Sequence, residues 1–148
     1  MNAFTLLKAD HMKVASIFEK LAATNERDVK NCHDLFANLK EELDVHARIE
    51  ETFLYRALEK AEETHNLALE AVEEHAIVNQ LLSELEHMEK DHAWWARLKV
   101  LRENVEHHVE EEETELFAKA GKVLSEGELE SLGALMQRAK EVPKKKAA

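Results

Sequence analysis

The sequence predicts an all-α protein, an up-down-up-down antiparallel four-helix bundle with a short fifth helix at the C-terminal end. Apolar residues recur at helical spacing along the whole chain, and no stretch alternates as a half-buried strand would. Three Gly and one Pro among 148 residues leave little for tight turns. Aromatic residues make up only 5% of the chain, so we expect a mainly aliphatic core.

Breaks in the apolar pattern set the expected helix boundaries. The predicted helices cover about 3–23, 29–61, 65–90, 91–120 and 126–142. The third and fourth are separated although no helix breaker lies between them, because one helix over 65–120 could not fold back on itself. Gly121 is expected to end the fourth helix, and Ser125 with Glu128 is expected to form a capping box that opens the fifth.

These boundaries predict one helical domain over residues 1–142, with the ligand-bearing helices within 3–120 and the short helix over 126–142. The last segment, 143–148, contains Pro143 and three consecutive Lys. Its charge and lack of apolar residues predict a disordered tail.

The formal net charge of −11 argues against nucleic acid and membrane surfaces as partners, because both attract positively charged proteins. Solubility explains such a charge, and so does a set of carboxylates that neutralise bound cations. Cys32 is the only cysteine, which excludes an internal disulfide and fits a reducing compartment. We therefore expect a cytoplasmic protein.

An internal repeat relates the first two helices to the next two. The segment that begins at His46 and includes Glu50 aligns with the segment that begins at His108 and includes Glu112. Earlier in each half, Asp10-His11 aligns with Glu74-His75. The repeat predicts two similar helical hairpins related by an approximate two-fold axis.

Polar residues interrupt the apolar stripe of each of the four long helices. They are two pairs of His and Glu one turn apart, with a single His on each of the other two helices: His11, His46, Glu50, His75, His108 and Glu112. Burying ionised carboxylates is costly unless a positive charge compensates them. Imidazole and carboxylate ligands suit Fe, Mn or Zn better than Ca or Mg. Four imidazoles and two carboxylates exceed the needs of one tetrahedral ion and suit two ions, with the carboxylates bridging.

The same residues resemble the hemerythrin-like, HHE cation-binding family over roughly Phe4 to Ala120. That family has one His on the first and third helices and His-x-x-x-Glu on the second and fourth. The resemblance implies two Fe ions bridged by oxo or hydroxo, with Zn or Mn as substitutes. By position, it assigns His11 and His46 to one iron and His75 and His108 to the other. It places Glu50 and Glu112 between the two irons.

One position departs from the pattern of the oxygen-carrying hemerythrins. These have a second His one turn after the third-helix ligand, where this chain has Asn79. The resemblance therefore implies a more open iron, and simple reversible oxygen carriage becomes less favoured. The predicted function is binding or reaction of O2, NO or peroxide at this iron, in oxygen or iron sensing or in a stress response.

Two alternatives to this function stay open. The first is an enzyme that turns over peroxide or NO, served by an electron donor protein. The second is a metal-free helical bundle that acts as an interaction module.

Other polar residues fall off the apolar stripes. His107 competes with His108 as a ligand, and the repeat favours His108. Asp10 is expected either near a ligand or at the surface, and the helical angle from Glu50 predicts that Tyr55 points aside. The surface histidines are predicted to be His33, His65, His87 and His92. Glu-x-x-His pairs of ferritin type occur, but they lie off the core stripes and are discounted.

Overall fold

A computed structural model describes residues 1–25 and 27–147, with side chains described as far as Glu141. The described residues form helices and connections and contain no strand. The α-helices are α1 Ala3–Ala22, α2 Val29–Ile49, α3 Arg56–Glu59, α4 Glu62–His87, α5 His92–Glu111, α6 Phe117–Val123 and α7 Glu126–Ala147. Two π-helical segments, Glu50–Tyr55 and Glu112–Leu116, follow α2 and α5 directly. None of these described helices is both long enough and apolar enough to cross a bilayer.

The chain divides into two compact units. The first unit comprises Met1–Leu54 and the C-terminal stretch from Glu126, and it contains α1, α2 and α7, all in mutual contact. The second unit, Tyr55–Ser125, contains α3 to α6, with α4 packed against α5. Each unit therefore contains one of the two helical hairpins that the sequence repeat predicts.

Buried aliphatic side chains form most of the core of the first unit. Its fully buried apolar residues are Ala3, Leu7, Leu21, Leu39, Ile49, Leu54 and Met136. The Asn2 side chain caps α1 by accepting a hydrogen bond from the Thr5 backbone N–H at 2.9 Å. Helix α7 approaches the start of α1 so closely that a Cβ on Gly133 would lie 2.2 Å from the Met1 carbonyl oxygen. Only glycine allows this approach without a shift of the backbone.

The second unit has a similar core that also includes large aromatic side chains, among them Trp94. Its fully buried residues include Leu58, Ala68, Leu82, Trp94, Leu101 and Ala120. The carboxylate of Asp91 accepts hydrogen bonds from the backbone N–H groups of Ala93 and Trp94 and so caps α5. The Trp94 indole N–H donates to the Leu85 carbonyl at 3.0 Å, which satisfies a carbonyl near the end of α4.

The predicted break near 89–92 is confirmed, because α4 ends at His87 and α5 begins at His92. The prediction that Gly121 ends the fourth helix is wrong. The helix continues to Val123 and stops where Leu124 becomes extended. Of the predicted disordered tail, Ala148 lies outside the described residues, as do the side chains of 142–147, so the tail and the domain bounds stay predictions.

The π-helical segments were not predicted, and each begins at a predicted carboxylate ligand, Glu50 or Glu112. In the second segment the Thr114 hydroxyl donates to the Glu110 carbonyl four residues earlier, at 2.7 Å. This bond competes with the ordinary helical bond to that carbonyl and favours a wider turn. Thr52 occupies the corresponding place in the first segment. A π-turn changes the direction of the side chains that follow it.

Candidate metal centre

The first unit brings together three of the predicted ligands, His11 from α1, His46 from α2 and Glu50 from the start of the first π-helical segment. Each offers a ligand atom, and these atoms lie within 4.8 Å of one another. His46 Nε2 is 3.0 Å from Glu50 Oε1, as expected for residues one helical turn apart. All three residues are buried, and Glu50 is 0% exposed. We call this set the first half-site.

The second unit contains the corresponding set, His75 from α4, His108 from α5 and Glu112 from the start of the second π-helical segment. The ligand atoms of His75 and His108 lie within 4.8 Å of each other. His108 Nε2 is 3.5 Å from Glu112 Oε2. These three residues are also buried. We call this set the second half-site.

An outer carboxylate orients one imidazole in each half-site. Asp10 Oδ2 lies 3.0 Å from His46 Nδ1, and Glu74 Oε1 lies 2.6 Å from His108 Nδ1. With the proton on Nδ1, this nitrogen donates to the carboxylate and Nε2 is left as the metal-binding atom. Asp10 is therefore buried beside a predicted ligand, the first of the two expectations for this residue.

The two outer carboxylates have different further partners. The Lys140 ammonium group of α7 also donates to Asp10, at Oδ1. Burial raises the pKa of Asp10, but the hydrogen bonds from His46 and Lys140 outweigh it and hold the pKa below its ordinary value. The pKa of Glu74 is lowered mainly by its hydrogen bond with His108, with burial opposing. Beside Glu74, the pKa of Glu111 is raised by loss of solvation and by the negative charge of Glu74.

Tyr55 belongs to the second half-site, and the prediction that it points aside is wrong. Its side chain is fully buried, and its hydroxyl donates a hydrogen bond to Glu112 Oε2. The Tyr55 hydroxyl oxygen also lies 3.5 Å from His75 Nε2 and 3.4 Å from His108 Nε2. The prediction assumed α-helical geometry after Glu50. A π-helical turn contains more residues than an α-helical turn, so the fifth residue after Glu50 turns back toward the face of the ligands.

The histidines outside the predicted set do not join either half-site. His107 is largely exposed and pairs with Glu111 at 3.1 Å, so His108 is the inward residue of the two, as the repeat favours. Exposure is also found, as predicted, for His33, His65, His87 and His92. Asn79, at the position of the additional His in oxygen carriers, is exposed.

The donor set of each half-site fits a transition-metal ion. Each provides two imidazoles and one carboxylate, all buried, and an outer carboxylate that fixes the orientation of one imidazole. Mixed nitrogen and oxygen donors of this kind suit iron, manganese or zinc. The Tyr55 oxygen is a further potential donor at the second half-site.

Comparisons with known proteins agree with this geometry. The family model of the hemerythrin HHE cation binding domain matches residues 2–120. A crystal structure of a hemerythrin HHE cation binding domain-containing protein from Mycobacterium kansasii is similar, with 29% identity and a TM-score of 0.84. The match covers 95% of this chain and 86% of that one. Among curated proteins, none matches this sequence.

The predicted fold class, an all-α hemerythrin-like bundle with an additional C-terminal helix, is confirmed by this likeness. The matched region contains all six predicted ligands and both outer carboxylates. The family model spans most of the chain, and the described residues include buried His and Glu clusters. The chain therefore belongs to the hemerythrin family of metal-binding HHE domains.

Proposed function

We propose that this chain is a non-haem di-iron protein that binds or reacts with a small ligand, O2, NO or peroxide, at an open iron position. By its place in the family, His11 and His46 would hold one iron and His75 and His108 the other. Glu50 and Glu112 would supply the carboxylate ligands. The biological setting would be oxygen or iron sensing, or a stress response.

The observation that carries the proposal is that the donor set occurs twice. Each unit buries two imidazoles and one carboxylate, and each has an outer carboxylate on the Nδ1 side of one imidazole. A carboxylate buried to this extent is costly without a compensating charge. Repetition of the whole arrangement, outer carboxylate included, favours one ion for each half-site over an accidental polar cluster.

Bound iron would supply redox chemistry and Lewis acidity. The protein residues provide the surroundings. Asp10 and Glu74 keep the protons of His46 and His108 on Nδ1. The ligand side chains of each half-site are buried, and the Tyr55 hydroxyl holds a proton at Glu112.

Metal analysis of the purified protein, combined with its visible spectrum, tests the proposal. We expect about two irons per chain after anaerobic ferrous loading, the count that two half-sites of this composition can hold. Near-ultraviolet bands of a bridged di-iron centre should appear after oxidation. His46→Ala and His108→Ala should each remove half or more of the iron, whereas exposed His33→Ala should remove none. An iron content near zero in the loaded wild-type protein would contradict the proposal and favour a metal-free interaction module.

Tyr55 favours the second candidate function, turnover of peroxide or NO with an electron donor protein as partner. A buried phenol hydroxyl beside two predicted ligands is placed to give up a proton as a substrate is reduced. Rapid mixing of the reduced protein separates the candidates. A stable O2 adduct supports binding or sensing, whereas many turnovers of peroxide or NO support an enzyme. The cytoplasmic location expected from the single cysteine stays a prediction.

A further inference from the structure

A second His-x-x-x-Glu pair lies on α5, offset by one residue from the pair of the second half-site. His107 Nε2 is 3.1 Å from Glu111 Oε1, because residues four apart share a helix face. Both side chains reach solvent, with 67% of the His107 side chain and 42% of the Glu111 side chain exposed. The function proposed above does not use this pair.

Glu74 of α4 completes the arrangement. Glu74, His107 and Glu111 each offer one ligand atom, and these atoms lie within 4.8 Å of one another. Two carboxylates this close repel each other, and a cation between them relieves the repulsion. One imidazole nitrogen with two carboxylate oxygens suits a divalent first-row transition metal better than Ca²⁺ or Mg²⁺. We call these three residues the outer cluster.

A cavity of about 110 Å³ is lined both by two residues of the outer cluster, Glu74 and Glu111, and by two of the second half-site, His108 and Glu112. Glu70 and Glu115 also line it and add to its acidic character. Glu70 and Glu115 are exposed, whereas His108 and Glu112 are buried, so the cavity extends from the surface to the predicted ligands. Glu74 takes part in both sites, because its carboxylate also accepts the hydrogen bond from His108 Nδ1.

The described residues of the first unit that correspond to the outer cluster in the repeat do not form a similar site. In the sequence repeat, His107 and Glu111 correspond to Val45 and Ile49, which are apolar and buried. Glu70 corresponds to Leu6, which is buried as well. The cluster is therefore not a by-product of the shared hairpin pattern, but a property of the second unit alone.

We propose that Glu74, His107 and Glu111 form an outer site that captures a divalent transition-metal ion, Fe²⁺ in the first place. The ion then passes along the acidic cavity to His108 and Glu112. The transfer is an exchange of ligands without change of oxidation state: bonds to the outer cluster break as bonds to the inner residues form. The inference rests on the proposed function, because it supplies the route by which iron reaches the second half-site.

Anaerobic stopped-flow loading of the metal-free protein with Fe²⁺ tests the outer site. The variant is His107→Ala/Glu111→Gln, which changes two solvent-reaching side chains and leaves Glu74 in place, since Glu74 also contacts His108. We expect the loading rate to fall by about tenfold, because the ion loses two of its three ligands at the outer cluster and the cavity loses the negative charge of Glu111. The rate should also become less sensitive to salt. The final iron content and spectrum should equal those of the wild type, because the inner ligands are unchanged.

His33→Ala/Glu103→Gln is the matched control, with the same chemical changes at two exposed residues outside the cluster. It should load at the wild-type rate. Loading of the His107→Ala/Glu111→Gln variant at the wild-type rate, with full iron content in both proteins, would overturn the outer site and leave the proposed function intact. A wild-type protein that takes up no iron would overturn both. Thermal unfolding of each variant checks that it is folded, so that the loading rates of folded proteins are compared.

Discussion

The two half-sites offer the same ligands but have different surroundings. In the first, the outer carboxylate Asp10 is buried and bonded to the Lys140 ammonium group of the C-terminal helix. In the second, the outer carboxylate Glu74 lies at an acidic cavity, and the Tyr55 hydroxyl lies among the ligands. In the sequence repeat, the residue that corresponds to Tyr55 is Phe117, which has no hydroxyl.

This difference shows that repetition of the ligands does not imply repetition of the chemistry. A cation balances the outer carboxylate of the first half-site, whereas neighbouring carboxylates add negative charge around that of the second. We therefore expect the first half-site to hold its ion as a stable anchor. The second half-site is expected to receive iron and to react with the small ligand.

The largest effect is expected from Tyr55→Phe, which removes the one feature that places a proton donor inside the second half-site. Iron content should stay at the wild-type level, whereas peroxide or NO turnover should fall by about 100-fold, the usual loss of a general acid. Steady-state kinetics and metal analysis of the same sample measure both quantities. Unchanged turnover in Tyr55→Phe would remove the proposed chemical difference between the half-sites. Phe117→Tyr is the reciprocal variant and should leave turnover unchanged.

A smaller effect is expected from Lys140→Met, which leaves the buried Asp10 carboxylate without its cation. The metal-free protein should lose about 1–3 kcal/mol of unfolding free energy, because a buried charge loses a hydrogen-bond partner. Urea denaturation measures this loss. Lys119→Met is the matched control, because Lys119 pairs with exposed Glu115 and should contribute less than about 1 kcal/mol. Equal losses in the two variants would argue against a special role of Lys140 in the first half-site.

The pH dependence of the unfolding free energy of the metal-free protein distinguishes the two outer carboxylates. The pKa values of Asp10 and Glu74 are lowered on folding from ordinary values of 3.8 and 4.5. A lowered pKa adds stability that is fully present above the ordinary value and is lost as pH falls through the folded value. Unfolding free energy should therefore decline as pH falls below about 4.5. Asp10→Asn should flatten this decline more than Glu74→Gln, because Asp10 is the more buried; the reverse order would contradict the comparison.

The smallest effect is expected from Asn79→His, which restores the residue typical of oxygen carriers. Asn79 is exposed, so an imidazole at this position should leave the iron content and the visible spectrum unchanged. Unfolding free energy should change by less than about 0.5 kcal/mol. Altered charge-transfer bands would show that the third helix can offer a second ligand, and that the openness expected of the second half-site depends on this one residue.

The sequence was sufficient to predict the all-α fold and the burial of all six proposed ligands, because both follow from helical periodicity. It also favoured His108 over His107 through the alignment with His46. The π-helical segments were missed, because they depend on competition for individual carbonyl groups, and with them the position of Tyr55. The partnership of Asp10 with Lys140 joins residues that are 130 positions apart, and no local pattern reports such a contact.

Gly133 gives a distant part of the first unit control over its half-site. A methyl group there would collide with the backbone at the start of α1, so the backbone of α1 or of α7 would have to shift. Lys140 lies seven residues further along the same helix, about 10 Å away. We expect a Gly133 substitution to weaken the contact between the Lys140 ammonium group and Asp10 without changing any predicted ligand. Gly133 therefore sets how closely α7, the helix that carries Lys140, approaches the start of α1.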